Sequence, residues 1–111
     1  MVIEIESRNF KQEVLDSELP VIAYFMSIRC NTCFALGLVI GELADEYDGR
    51  VKFIKLDISR YPEQAENYDI KSLPALLLFD KSTPVKKLLG FWYKSALRGW
   101  LDEALQEPNV R

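Results

Sequence analysis

Val21-Ile22-Ala23-Tyr24-Phe25-Met26-Ser27-Ile28-Arg29-Cys30-Asn31-Thr32-Cys33 decides how this chain is read. Its first six residues form an unbroken apolar and aromatic run, the pattern of a strand covered on both faces. Two cysteines in C-x-x-C spacing follow, and beyond them the periodicity changes. Leu36, Ile40, Leu43, Ala44 and Tyr47 recur at helical spacing, with Glu42, Asp45 and Glu46 on the other side. The cysteines therefore stand where a buried strand gives way to a long amphipathic helix, which the Asp48-Gly49 turn ends.

Toward the N-terminus, Val2-Ile3-Glu4-Ile5-Glu6 alternates as a short edge strand does. Asn9 followed by Gln12 reads as a helix cap with its reciprocal partner, and Phe10, Val14 and Leu15 form an apolar stripe ending near Pro20. Downstream, a strand is expected over Val51 to Asp57 and a short helix over Pro62 to Tyr68, with proline in its first turn. Ala75-Leu76-Leu77-Leu78-Phe79 is a further buried strand. Asp80 to Pro84 is rich in turn residues, so Val85 to Leu89 is expected to pair back antiparallel, closed by Gly90. Leu97, Trp100, Leu101, Ala104 and Leu105 define a last helix, Lys94 to Gln106. The order β-α-β-α-β-α-β-β-α predicts an α/β protein with a mixed sheet and helices on both faces. No repeat or linker interrupts it, so residues 1–111 read as one domain with a fraying tail from Glu107 to Arg111.

Apolar residues make up 49% of the 111 positions and charged residues 28%, which fits a folded domain and excludes a disordered chain. A chain of this size buries roughly 65% of its unfolded surface, enough for one core. Fourteen basic against 17 acidic side chains give a net charge of −3, which argues against nucleic acid or anionic membrane as a partner. No apolar run approaches the ~20 residues that span a bilayer. Met1 to Glu6 reads as too short and too acidic for a signal peptide, so the expected location is the cytoplasm.

The sequence contains no histidine, which removes Ser-His-Asp and Cys-His catalysis and any imidazole ligand or proton shuttle. Cys30 and Cys33 are its two cysteines. So small a loop constrains an unfolded chain little, which makes a structural staple a poor account of them. A zinc site would need further soft ligands, so metal requires sharing across a dimer. Two small apolar residues packing in a helix start is the other bland reading. Placement favours a redox pair. Backbone N–H groups at the helix start and the helix dipole favour a Cys30 thiolate, and Arg29 adds positive charge in the same direction. Cys33, one turn further in, is expected to be more buried and to resolve a mixed disulfide held at Cys30.

In these features the sequence resembles the thioredoxin family from about residue 2 to 106. The resemblance is carried by the apolar strand before Cys30-Asn31-Thr32-Cys33, by Gly41-Glu42-Leu43-Ala44-Asp45-Glu46-Tyr47, and by Val51-Lys52-Phe53-Ile54-Lys55-Leu56-Asp57-Ile58. It continues in Tyr68-Asp69-Ile70-Lys71-Ser72-Leu73-Pro74, in Leu76-Leu77-Leu78-Phe79 and at Gly90. It implies a thioredoxin fold, a central mixed sheet of about five strands flanked by about four helices. It also implies thiol–disulfide oxidoreductase activity on protein disulfides, with a recycling reductase, no cofactor and no metal, in a protein expected to be monomeric. By the same resemblance Pro74 is the family's cis proline facing the sulfurs, where the kink presents the Leu73 backbone to an extended substrate. Ile28, Asn31, Leu73, Pro74, Gly90 and Phe91 are then expected around the substrate groove, with Phe91 equally compatible with the core. Trp92 and Trp100 read as packing rather than recognition, although Trp92 lies close enough to Phe91 to reach the groove rim.

Four positions depart from the family pattern. Arg29 replaces a tryptophan, Asn31-Thr32 replaces Gly-Pro, Tyr24 replaces a buried acid, and Leu38 replaces a helix-kinking proline. Thr32 supplies an N–H and a hydroxyl that proline lacks, so with Arg29 it is expected to stabilise the Cys30 thiolate and make a weaker reductant. Lys55 matches the lysine that normally pairs with the missing acid, and a phenol with a pKa near ~10 is a poor base at neutral pH. Tyr24 is therefore expected to pack in the core with its hydroxyl bonded nearby. These departures keep open a second reading, a peptide- or protein-binding module with vestigial redox activity.

Overall fold

The computed structural model describes residues 1–107. Strand β1 (Val2–Ile5) leads through a 3-10 turn at Ser7–Asn9 and a helical turn at Lys11–Leu15 to β2 (Val21–Met26) and helix α1 (Asn31–Glu46). Then follow β3 (Lys52–Asp57), α2 (Glu63–Asn67), β4 (Ala75–Asp80), β5 (Thr83–Leu89) and α3 (Lys94–Leu105). The sheet order is β1-β3-β2-β4-β5. Strands β1 and β2 run parallel to β3, while β4 is antiparallel to β2 and β5 to β4. This is the mixed α/β sheet of a thioredoxin fold.

The central position of β2 explains its continuous apolar run. Alternate residues of a strand face opposite sides of the sheet. Ile22 and Tyr24 enter a cluster with Leu36, Ile40 and Leu43 of α1 and Leu97 and Leu101 of α3. Val21, Ala23 and Phe25 face the other cluster, with Phe10, Val14, Ala65 and Ile70. Burying a side chain such as Leu36 or Ile40 contributes about 1.5–3 kcal/mol, so α1 is held to the sheet chiefly by this stripe.

Two local details differ from the expectations. Asn9 does not cap a helix with Gln12: its side-chain oxygen accepts the Glu6 backbone N–H at 3.1 Å, so the cap lies three residues earlier. The chain then makes a wide turn in which the Asp16 N–H reaches the Lys11 carbonyl at 2.8 Å, an i→i+5 bond. Phe10 is nevertheless buried, its ring against Tyr68 and Phe79. Strand β5 begins at Thr83 rather than Val85, with Pro84 inside it. Proline is accommodated because β5 is an edge strand and the register shifts between Leu78 and Phe79 opposite it. The hairpin turns at Lys81 and Ser82, whose φ values of 52° and 72° have the handedness a tight hairpin needs. Residues 108–111 of the tail expected to fray lie outside the described residues.

Candidate active site

Four chain segments meet at one end of the sheet. The Ile58 N–H bonds the Met26 carbonyl at 2.9 Å, which brings the end of β3 against the end of β2. Phe25 pairs with Ala75 and Ala75 with Leu89, so the start of β4 and the end of β5 lie at the same end. There the Gly90 N–H bonds the Pro74 carbonyl at 2.8 Å. Gly90 has φ +88°, a conformation that favours glycine. Beside them, buried Asp57 accepts bonds from the Ser59 N–H (3.0 Å) and hydroxyl (2.6 Å), which shape the turn after β3.

Cys30 and Cys33 stand at the head of α1 in this group. Cys30 is the extended residue that caps the helix, and its sulfur accepts the Cys33 N–H at 3.1 Å. The Thr32 hydroxyl lies 3.5 Å from the same sulfur. The two cysteines are joined in a disulfide, with Cα atoms 5.2 Å apart. Cys33 is fully buried and Cys30 only partly, so Cys30 is the more accessible of the two. A tight turn sets this geometry: the Cys30 N–H bonds the Ser27 carbonyl at 3.0 Å and the Arg29 N–H bonds the Ser27 hydroxyl at 3.2 Å. Arg29 itself is exposed.

The Leu73–Pro74 peptide bond is cis, with Pro74 buried and Leu73 partly buried. Ile28, Asn31 and Phe91 are exposed. Phe91 is therefore not a core residue; its ring stacks edge-on against Tyr93, with centroids 5.3 Å apart. Trp92 is also exposed and donates its indole N–H to the Leu89 carbonyl at 2.7 Å, whereas Trp100 packs partly buried against the core. The expectation of packing thus fits Trp100 and not Trp92.

Beneath the disulfide, the Tyr24 hydroxyl donates a hydrogen bond to the Cys33 backbone carbonyl. Burial pushes the Tyr24 phenol up to about 12. Lys55 lies opposite Tyr24 on β3, and its ammonium is 3.8 Å from a Glu4 carboxylate oxygen. A cavity of about 220 Å³ opens behind Cys33, lined by Tyr24, Lys55, Val2, Phe34 and Leu38 among others. Sequence reasoning missed this cavity and the exposure of Phe34 and Leu38. The one available signal was that both residues fall off the Leu36–Ile40–Leu43 stripe. Among the described residues no three His, Cys, Asp or Glu side chains cluster as a metal ion would require. Nor is any described helix long and apolar enough to cross a membrane.

Comparison with known proteins agrees with this geometry. The thioredoxin family model matches residues 1–103. A thioredoxin of Synechocystis sp. is 34% identical over 102 residues, spanning 92% of this chain and 95% of the relative. A thioredoxin of Rickettsia conorii is 31% identical over 105 residues, 95% of this chain and 100% of the relative. One of Buchnera aphidicola is 35% identical over 105 residues, 95% and 97% of the two chains. The chain belongs to the thioredoxin family. With its paired sulfurs at the head of α1, it is a thiol–disulfide oxidoreductase.

Proposed function

We propose that Cys30 attacks a disulfide of a protein substrate and that Cys33 then displaces the substrate thiol, leaving the Cys30–Cys33 disulfide for a recycling reductase to reduce. The supporting observation is the asymmetry of the pair, an accessible Cys30 whose sulfur receives a helix-start N–H and a Cys33 sealed beneath it. In the reduced protein that N–H, the Thr32 hydroxyl and the Arg29 charge favour a Cys30 thiolate. The exposed faces of Ile28, Asn31 and Phe91, with the Leu73–Pro74 and Gly90 backbone, form the groove for an extended substrate segment. Lys55 tunes the environment of Cys33 from the cavity side. In this proposal the chain works as a single-domain cytoplasmic monomer, without cofactor, metal, membrane or nucleic acid.

Insulin reduction with a dithiol donor, run beside a Cys30→Ser control, tests the reading. Turnover by the natural sequence and none by the variant is the expected result. Peptide binding without turnover in either protein would instead establish a binding module with vestigial redox activity.

A further inference from the structure

We propose that Trp92 and Tyr93 form a wall that selects substrate segments carrying a neutral aromatic or branched aliphatic side chain two residues from the reacting cysteine. This rests on the exchange reaction proposed above. Phe91, Trp92 and Tyr93 are exposed in succession after Gly90, and Tyr93 keeps 76% of its surface in solvent. Contiguous exposed apolar surface of this kind marks an interaction site. The rings are also held in place. The Trp92 indole N–H is fixed on the Leu89 carbonyl at 2.7 Å, and the rings of Phe91 and Tyr93 stand edge-on with centroids 5.3 Å apart. Tyr93 caps α3, its carbonyl accepting the Leu97 N–H at 3.0 Å, so its backbone is set by that helix. A wall ordered before binding loses little freedom when a side chain settles on it.

The topology gives the wall a distance and a side. The Gly90 N–H is bonded to the Pro74 carbonyl, so the aromatic run starts at the edge of the groove. Strand β4 separates β5 from β2. Neighbouring strands lie about 4.8 Å apart, which puts the end of β5 roughly 10 Å from the end of β2 that leads to Cys30. An extended segment advances about 3.3 Å per residue and turns alternate side chains to one face. With its cysteine at Cys30, such a segment lying across Pro74 reaches the wall with the side chain of the second residue from that cysteine. The opposite flank, where β3 ends beyond β2, carries exposed Ser59 and Arg60, with the Arg60 guanidinium over the Tyr61 ring.

Charge decides the chemistry of the occupant. No residue from Leu88 to Tyr93 is charged. The Lys94 ammonium that follows is taken up by the Glu42 and Glu46 carboxylates at 3.0 and 2.6 Å. The wall therefore offers apolar surface and no ion for a charged side chain to pair with.

Reduced protein is mixed with symmetric disulfide dimers of a short Gly-Ser peptide that has one central cysteine and Phe, Ala or Lys two residues before or after it. Chromatography of quenched samples gives the second-order rate constant for release of the peptide thiol. One of the two Phe peptides is expected to react about tenfold faster than its Ala counterpart, as for a phenyl ring partly withdrawn from water. The other is expected to stay within about twofold. Trp92→Ala should bring the larger ratio to within about twofold of one, and Trp92→Phe should keep most of it. Each ratio is taken within one protein, so a general loss of activity does not imitate a loss of selectivity. Equal rates for Phe and Ala, an equal gain at both positions, a Lys peptide outpacing the Phe peptide, or a gain that survives Trp92→Ala overturns the proposal. Should the natural protein reduce none of the peptides, the exchange reaction itself falls. Titrating the serine analogues of the peptides into the oxidised protein, followed by the Trp92 indole NMR signal, then decides the wall alone: tighter binding of a Phe sequence upholds it and equal binding overturns it.

Discussion

The Tyr24 hydroxyl donates its hydrogen to the Cys33 carbonyl, so the central strand of the sheet is fastened to the first turn of the helix that carries both sulfurs. Tyr24→Phe keeps the ring and its packing and removes only this bond. The oxidised variant is expected to lose about 0.5–1.5 kcal/mol of unfolding free energy, the usual net contribution of one hydrogen bond. Urea unfolding monitored by circular dichroism measures it, and an unchanged midpoint would show the bond to be energetically idle.

That bond marks the limit of what the sequence discloses. The alternation of β2 places Tyr24 on the α1 face, and the C-x-x-C spacing places Cys33 in the first helical turn. Whether the hydroxyl meets that residue depends on how far the helix sits from the sheet, which no local pattern encodes. The same division runs through the fold. The β2 run and the α1 stripe identify their elements because burial on two faces, or on one helical face, leaves a periodic trace. Asn9 misleads because a cap and a turn residue use the same side chain. Pro84 misleads because its tolerance in β5 depends on that strand lying at the sheet edge with a bulge opposite. Within the site, Cys30 and Cys33 are legible from placement alone, whereas the cavity behind them arises from side chains of α1, β1, β2 and β3 that only tertiary packing assembles.

Thr32 places its hydroxyl 3.5 Å from the Cys30 sulfur. A donor there stabilises the thiolate and so the reduced form, which raises the reduction potential. The natural protein is expected to lie above the thioredoxin figure of about −270 mV. Thr32→Val is expected to lower its own potential by about 20 mV, the equivalent of one ~1 kcal/mol hydrogen bond in a two-electron couple. Equilibration with glutathione redox buffers reads both values. A potential at or below that of a thioredoxin, or a rise in the variant, contradicts the argument.

Arg29 precedes Cys30 and is exposed. Unit charges a few ångström apart in water interact by about 1 kcal/mol. Arg29→Ala is therefore expected to raise the Cys30 thiol pKa and slow its alkylation by iodoacetamide a few-fold at pH 7. Because the charge is solvent-facing, added salt should narrow the gap between the two proteins. Equal rates at low ionic strength would remove Arg29 from the account of Cys30 reactivity.

Gly41 lies in the interior of α1, and a Cβ added there meets nothing within 4 Å. Glycine inside a helix costs roughly 0.5–1 kcal/mol relative to alanine. Gly41→Ala is expected to stabilise the protein by about that amount with no change in the rate of disulfide exchange. A lower thermal midpoint would mean that the apparent space is occupied in solution.

Three tyrosines give the protein an alkaline limit, since burial also pushes the Tyr68 phenol up; the two large shifts are at Tyr24 and Tyr47. Burial pushes Tyr24 up to about 12. Tyr47 is likewise pushed up to about 12, chiefly by burial and then by the Asp102 carboxylate that its hydroxyl bonds. In the unfolded chain both phenols ionise near the ordinary value of 10.0. Below that value neither state is charged and these groups leave stability independent of pH. Above it, the unfolded chain releases protons that the folded one retains, so stability falls as pH rises from about 10 toward 12. Tyrosinate absorbance followed beside far-ultraviolet circular dichroism checks this. Part of the absorbance change from the five tyrosines is expected to coincide with loss of the helical signal. Full ionisation of all five near pH 10 with the fold intact would show that Tyr24 and Tyr47 are open to solvent, and the donor role of Tyr24 toward Cys33 would fail with it.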